Sequence, residues 1–235
     1  MLIMLLDCFC IIENAMNMSF TMQCVRRTDE GFVRLVMRGD YKDPQDEEVD
    51  IEPGELLEYS ISDYEIDVLF WPEHIQQKSF WPDIRPRSLV KEQVSWDFYE
   101  KAGRGEESYH DPRKVLHALQ ALYHALKEHD EQFPKYYCLV SLDRKEVQTL
   151  TLQISGHKYE IACGWDSCYA RREDGRIFDL RDKPWVQGLY QGYLQEFAVK
   201  AKSFFQIYGE GHLRAFMEVC HTALRHGWWV ETYFG

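Results

Sequence analysis

Residues 149–163 read TLTLQISGHKYEIAC, and apolar and polar residues alternate on both sides of the central SGH. Side chains point to opposite faces along a strand, so Leu150, Leu152 and Ile154 share one face. The second half alternates in the same way, and its shared face consists of Tyr159, Ile161 and Cys163. This stretch therefore predicts an antiparallel hairpin with SGH as its turn.

The period of two continues around this hairpin. YYCLVSL (136–142) precedes it, while CYARR (168–172) and RIFDL (176–180) flank the turn EDG. Antiparallel strands of this kind commonly have one solvated face and one face packed on a core. We predict a meander of four or five antiparallel strands over about residues 136–180, with one face packed against helices.

The clearest helix is predicted just before the meander, in DPRKVLHALQALYHALKEHDEQF (111–133). Asp111 is a natural N-cap, and Pro112 suits the first helical position. Apolar side chains recur at helical spacing, which predicts a buried stripe of Val115, Leu119, Leu122 and Leu126. Pro134 ends the helix, and we expect the stripe to pack against the meander.

The N-terminal half is predicted to begin with strands. FTMQCVRR (20–27) and FVRLVMR (32–38) form a hairpin around TDEG, because Gly31 accepts a positive φ angle. LLEYSISDYEIDVLFW (56–71) is interpreted as one or two strands that end at Pro72. SLVKEQVSWDFYEKA (88–102) has the apolar spacing of a helix.

The C-terminal part is predicted to be mostly helical. WVQGLYQGYLQEF (185–197) and GHLRAFMEVCHTALRHG (211–227) both have helical spacing, with Gly227 as a C-terminal cap of the second helix. Residues 198–208 fit either a strand or a helix. The terminal WWVETYF (228–234) is predicted as a strand.

Strands in both halves with helices between them predict an α+β fold, with antiparallel sheets and the meander at about 136–180 packed against several helices. The 235 residues suit one domain over 23–235, or N-terminal (23–105) and C-terminal (106–235) subdomains. Residues 1–22 are predicted as an apolar N-terminal extension. Either translation starts at a later Met, or the extension supplies a buried first strand. It lacks a basic n-region and is too short to span a bilayer, so we expect no secretory signal and no membrane association.

The charge distribution points to a basic protein partner. The net charge of −12 argues against nucleic-acid binding, which requires cations to neutralise phosphates. The acidic segment Asp43–Asp67 holds eleven acids and no Lys or Arg. The tripeptide Phe-Trp-Pro occurs twice beyond it, and rigid aromatic side chains are typical of interface hot spots. The predicted partner-binding residues are Asp46, Glu47, Glu48, Asp50, Glu52, Trp71 and Trp81.

The seven cysteines are interpreted as reduced thiols. Their number is odd, and a chain of this size needs no disulfide framework, so we expect a reducing compartment, the cytoplasm. Cys163 and Cys168 bracket a four-residue loop and have the chemistry of metal ligands. Because a second pair at zinc-finger spacing is missing, we expect no metal and no cofactor.

Histidines are the candidates for catalysis. His117 and His124 lie seven residues apart on one face of the predicted helix, and His110 stands beside Asp111 as a base beside its orienting acid. The alternative interpretation places the first two on a solvated helix flank and assigns Asp111 to capping alone. Nucleophile elbows, phosphate loops and dinucleotide loops are absent from the sequence.

Arginines cluster in the hairpin of residues 168–180. Arg171, Arg172 and Arg176 suit bidentate binding of a phosphate or carboxylate. The alternative is a solvated hairpin tip in which they pair with Glu173, Asp174 and Asp179.

We therefore favour a soluble, acidic, non-enzymatic binding protein that docks a basic partner. Inhibitors and toxin-neutralising immunity proteins act in this way, although that comparison is an analogy of charge and size. One alternative is an enzyme that uses His and carboxylate side chains. Another is a regulatory domain that binds a ligand through the arginine hairpin.

Overall fold

The structure is a computed structural model that describes residues 18–40, 43–70, 85–106 and 108–235. Both sheets and helices are present in these residues, so the predicted α+β class is confirmed. No helix among them is long and apolar enough to cross a membrane.

The strands of the described residues are, in chain order, β1 (Ser19–Thr28), β2 (Gly31–Met37), β3 (Glu47–Val49), β4 (Glu58–Ser62), β5 (Tyr109–His110), β6 (Tyr136–Ser141), β7 (Glu146–Val147), β8 (Thr149–Ile154), β9 (His157–Gly164), β10 (Ser167–Arg172), β11 (Ile177–Asp179), β12 (Trp185–Tyr190), β13 (Tyr193–Lys202) and β14 (Trp229–Phe234). The α-helices are α1 (Asp63–Phe70), α2 (Asp97–Gly103), α3 (Pro112–Glu128) and α4 (Arg214–His226).

The chain divides into two compact units, and the division is discontinuous in sequence. The first unit contains the described residues as far as Tyr123 and returns for His212–Gly235, while the second contains His124–Gly211. The predicted extension 1–22 overlaps the first unit, because β1 already begins at Ser19; residues 1–17 lie outside the described residues.

A six-stranded sheet organises the first unit. Its order is β3-β2-β1-β14-β5, with β4 also paired to β1, and within the described residues only its β2–β3 pair is parallel. One face, here called the inner face, packs on α2 and α4: the Phe20 ring contacts Phe216 edge-on at 5.6 Å, and Cys24 Sγ lies 3.6 Å from Val219 O. The predicted β1–β2 hairpin and the terminal strand are confirmed.

Two predictions in this unit are wrong in part. Residues 63–70 form helix α1 instead of a strand, because Ser62 and Glu65 make a reciprocal capping box: Glu65 N donates to Ser62 Oγ at 3.3 Å, and Ser62 N donates to Glu65 Oε2 at 3.4 Å. The helix predicted over 88–102 is limited to α2, after a 3₁₀ turn at Pro86–Leu89.

An eight-stranded sheet of order β11-β10-β9-β8-β12-β13-β6-β7 forms the second unit. The opening hairpin is confirmed as β8–β9, and Ser155 and Gly156 occupy its turn with φ angles of 50° and 82°. The meander is continuous only from β8 to β11, because the β12–β13 hairpin separates β8 from β6. Its buried cluster contains Leu139, Leu150, Leu152, Ile161, Cys168, Ala170, Leu180, Val186 and Phe197.

Helix α3 follows its prediction closely, and Asp111 Oδ1 caps it by accepting Arg113 N at 2.9 Å. Leu119 and Leu122 are fully buried, as predicted. Among the described residues, however, the buried cluster of the larger sheet includes no residue of α3. The packing of this helix on the meander therefore stays a prediction.

The helix predicted over 185–197 is wrong, since this segment is the β12–β13 hairpin. Gln191 and Gly192 both have positive φ angles, which suits a two-residue hairpin turn. Gly188 fits against β8, where an added Cβ would lie 2.9 Å from Ile154 Cγ1. The undecided segment 198–208 is strand as far as Lys202 and then enters a π-helical stretch, Phe205–Leu213.

Candidate functional site

Several of the predicted partner-binding acids already have partners within the protein. Glu47 forms an ion pair with Arg26, and Asp50 lies 2.9 Å from Arg38. Asp46 Oδ2 accepts a hydrogen bond of 2.9 Å from the backbone of Asp43. These acids are part of the local structure of the segment, so they do not present five free charges to a partner.

Glu55, an acid of the same segment, is buried and only 6% exposed. Its carboxylate accepts hydrogen bonds from Glu52 N at 2.8 Å and from Arg225 Nη1 at 2.7 Å, and it lies 3.1 Å from His226 Nε2. The bond from the Glu52 backbone is the largest cause that lowers the pKa of Glu55, and His226 and Arg225 add to it. Glu55 therefore ties the acidic segment to the end of α4.

The other predicted residues are placed differently. Glu48 pairs in register with Val36 and so shares the face of β2 that carries Phe32 and Arg34. Glu52 is exposed on the loop after β3. Trp71 and Trp81 lie outside the described residues.

The outer face of the smaller sheet, opposite α2 and α4, carries aromatic and arginine side chains. The register places them together, because alternate residues of β1, β2, β5 and β14 share this face. Arg27 is exposed and the other five are half-buried. We call this set the aromatic–arginine face: Arg27, Phe32, Arg34, Tyr109, Trp229 and Tyr233.

Rings and guanidinium groups pack on each other across this face. Phe32 stacks on Tyr109 with ring centroids 4.0 Å apart, and it contacts Trp229 edge-on at 5.7 Å. Arg27 lies 5.7 Å from the Trp229 ring centroid and Arg34 lies 5.2 Å from that of Tyr233. Cations at these distances are attracted by the ring faces. The arrangement holds two arginines flat on the surface.

Polar groups continue the face on β1, β4 and β14. Gln23 Nε2 donates to Glu231 Oε2 at 2.5 Å, and the hydroxyls of Thr21 and Ser60 lie 2.8 Å apart. Burial is the largest cause that raises the pKa of Tyr233, although Arg34 opposes it. Tyr233 is thus a neutral phenol. In register Glu58 faces Gln23, so Glu48 and Glu58 supply negative charge on the same face.

His110 contacts a buried serine, but the directions of the hydrogen bonds prevent the histidine from accepting the serine proton. Thr232 Oγ1 donates its only proton to Phe98 O at 2.5 Å, so the Ser108 hydroxyl, 2.7 Å away, donates to Thr232. Ser108 Oγ then accepts from His110 Nε2, to which it is hydrogen-bonded. Desolvation is the main cause that lowers the pKa of His110 to about 4. Ser108 is 2% exposed and is not activated as a nucleophile.

A second histidine, His212, lies between a tyrosine and a carboxylate. Its Nδ1 is 2.8 Å from Tyr59 Oη, and its Nε2 is 3.7 Å from Glu65 Oε1. Burial lowers the pKa of His212 and raises that of Tyr59. The carboxylate favours the proton on Nε2, so Nδ1 accepts from the tyrosine. Both nitrogens are engaged, which leaves no lone pair for a general base.

The predicted histidine pair does not form a site of its own. His117 Nε2 lies 3.3 Å from Glu92 Oε2 at the surface, and His124 is exposed. No group of three or more His, Cys, Asp or Glu side chains among the described residues has the arrangement of a metal site.

The hairpin arginines are paired with carboxylates. Arg171 bonds Glu160 at 2.6 Å, and Arg172 and Arg176 both contact Asp174. The pKa of Asp174 is held below its usual range, chiefly by its hydrogen bond from Arg172. The alternative of a solvated, internally paired hairpin tip describes this geometry better than an anion site.

A shallow cavity of about 250 Å³ lies beside this hairpin in the second unit. Arg181 lines it, but its guanidinium bonds Asp179 at 2.6 Å and Asp166 O at 3.2 Å. Other lining residues are Ser167, Cys168, Tyr169 and Ile177.

The prediction of free thiols is wrong for Cys163 and Cys168, which form a disulfide with Cα atoms 4.0 Å apart. They face each other in register across β9 and β10. The sequence alone does not show this pairing, because it does not define the two-residue turn that sets the register. Cys24, Cys138 and Cys220 are free, as predicted, and all three are buried.

Sequence reasoning missed the aromatic–arginine face, because its members come from four strands far apart in the chain. The available signal was the spacing of Arg27, Phe32 and Arg34 on the first hairpin, which places them on one face. Comparisons with protein-family models, with curated proteins and with solved structures find no match to this chain.

Proposed function

We propose that this chain is a non-enzymatic binding protein, inhibitor- or immunity-like, which docks a basic protein partner. The aromatic–arginine face is the proposed docking surface. The observation that supports it is the grouping of a tryptophan, two tyrosines and two arginines on one sheet face, since Trp, Tyr and Arg are the residue types enriched at interface hot spots.

The packing of these side chains favours binding because it lowers the cost of ordering them. Each arginine is already held against a ring, so little side-chain freedom is lost when a partner covers it. The rings of Phe32, Tyr109 and Trp229 likewise have few alternative positions. Such a surface is preorganised for a protein partner.

Charge supports a partner with basic residues. Glu48 and Glu58 lie on the same face as the two arginines, and the exposed Glu52 follows on the next loop. The net charge of −12 adds a field that attracts a basic protein over a longer range. The proposal keeps the acidic segment as the source of attraction and moves the anchors to the sheet face.

The test is quantitative capture from the native host with the full-length chain and two pairs of variants. Arg27→Ala removes an anchor of the face and Glu48→Lys reverses one of its negative charges, while Lys200→Ala and Glu196→Lys make the matching changes at exposed positions of β13 in the second unit. We expect a protein retained by the wild type and both controls, and bound about tenfold more weakly by each face variant. Equal retention by all five folded proteins, judged by circular dichroism, would contradict the proposal.

A further inference from the structure

The disulfide hairpin is a distinctive feature of the second unit. Gly164 and Ser167 pair across a two-residue turn, so the next pair, Cys163 and Cys168, is a non-hydrogen-bonded pair. Side chains approach closely at such pairs, and the two Cα atoms are 4.0 Å apart. The backbone therefore holds both sulfurs together whether or not they are bonded.

The two sulfurs differ in access. Cys163 is half-buried, whereas Cys168 is 1% exposed. The free cysteines of the described residues are less reactive, because burial raises the pKa of Cys24 to about 12 and also raises the pKa of Cys138 and Cys220. A thiol reagent that meets the folded protein therefore finds Cys163 most accessible among them.

The surroundings screen the inner sulfur from solvent, because Cys168 belongs to the buried cluster of the larger sheet. The cavity of about 250 Å³ borders the other face of β10, where Ser167 and Tyr169 lie. Backbone bonds hold the hairpin independently of the sulfurs: Leu180 N donates to Cys168 O, and Cys163 N donates to Gln148 O, both at 2.8 Å. Opening the disulfide thus leaves the strands in place.

We propose that Cys163 and Cys168 form a thiol–disulfide exchange site whose reaction partner is a dithiol. A thiolate of the dithiol attacks Cys163 Sγ, the Cys163–Cys168 bond breaks, and Cys168 leaves as a thiolate that takes up a proton. The second thiolate of the dithiol then attacks the mixed disulfide, which releases Cys163 as a thiol and oxidises the dithiol to its own disulfide. Oxidised glutathione drives the reverse direction and becomes two molecules of glutathione.

The primary test uses the full-length wild-type protein without denaturant. It is oxidised with glutathione disulfide, then reduced with dithiothreitol, and at each stage it is alkylated and mapped by peptide mass spectrometry. We expect a linked 163–168 peptide after oxidation and two alkylated residues after reduction, with Cys24, Cys138 and Cys220 at least about tenfold slower to react. The proposal is overturned by the absence of the linked peptide, or by a link that dithiothreitol opens only after unfolding.

Single variants test the direction of attack, with Cys138→Ser as the control. In Cys168→Ser the remaining Cys163 should form a mixed disulfide with glutathione, and in Cys163→Ser the remaining Cys168 should react about tenfold more slowly. Cys138→Ser should leave the linked peptide unchanged. Faster reaction at Cys168 than at Cys163 would contradict the assigned order of attack.

Discussion

Replacement of Glu55 by Gln tests whether the acidic segment is held by its own charges. The carboxylate is buried and receives three hydrogen-bonding contacts, from Glu52 N, Arg225 and His226. Hydrogen bonds to charged groups contribute about 1.5–3 kcal/mol each, but Arg225 is half-exposed and keeps Glu218 at 2.5 Å as a second partner. We therefore expect Glu55→Gln to lower the free energy of unfolding by about 2–3 kcal/mol.

The assay is urea denaturation followed by circular dichroism, with Glu52→Gln as the matched control. Glu52 is exposed, so its substitution should change the unfolding free energy by less than about 0.5 kcal/mol. Because the folded protein lowers the pKa of Glu55, the stabilisation is present above the ordinary value of 4.5 and is lost as pH falls through the lowered value. The difference in unfolding free energy between the wild type and Glu55→Gln should be largest at neutral pH and should shrink in acid. Equal unfolding free energies of Glu55→Gln and Glu52→Gln would refute the reasoning.

Three further predictions follow from buried contacts. Leu122→Ala in α3 should lower the free energy of unfolding by about 2–5 kcal/mol in urea denaturation, while Gln120→Ala, at an exposed position, should lower it by less than about 0.5 kcal/mol. A loss at Leu122 as small as that at Gln120 would contradict the buried stripe. Gly188→Ala should lower the free energy of unfolding by about 1–3 kcal/mol, because the added Cβ would lie 3.0 Å from Gln153 O. Gly164→Ala is the control, since a Cβ at Gly164 has space. Equal losses of stability in the two variants would count against the β8–β12 packing. The fold lowers the pKa of His110 from 6.5 to about 4, so between these two pH values folding should release a proton from His110. The free energy of unfolding of the wild type should therefore fall as pH is lowered through this window. A His110→Gln variant should lose that part of the pH dependence. An unchanged pH profile in His110→Gln would show that another group titrates there.

The sequence predicted most elements whose pattern is local. Alternation from Leu150 to Cys163 and the Asp111–Pro112 start of α3 each depend on a few neighbouring residues, and both are confirmed. The β12–β13 hairpin was missed because its apolar spacing resembles a helix, and the positive φ angles at Gln191 and Gly192 decide against it. Helix α1 departs from the prediction because Ser62 and Glu65 also suit an acidic strand, and it is their capping box that begins a helix there.

The candidate site was less predictable than the fold. Acidic residues were visible in the sequence, but their partners were not: Arg26 reaches Glu47 across two strands, and Arg225 reaches Glu55 from the end of α4. Pairing of Phe32 with Tyr109 depends on four strands meeting in one sheet. Such contacts follow from sheet topology, which single-sequence patterns do not define.

Site-specific photo-crosslinking tests the docking proposal most directly. A benzophenone amino acid is placed at position 60, an exposed position on the same sheet face as the aromatic–arginine set, or at position 200, on β13 of the second unit, and each full-length protein is irradiated with the captured partner. The proposal predicts a covalent adduct from position 60 that high salt weakens, and no adduct from position 200. Adducts from position 200 with none from position 60 would contradict it.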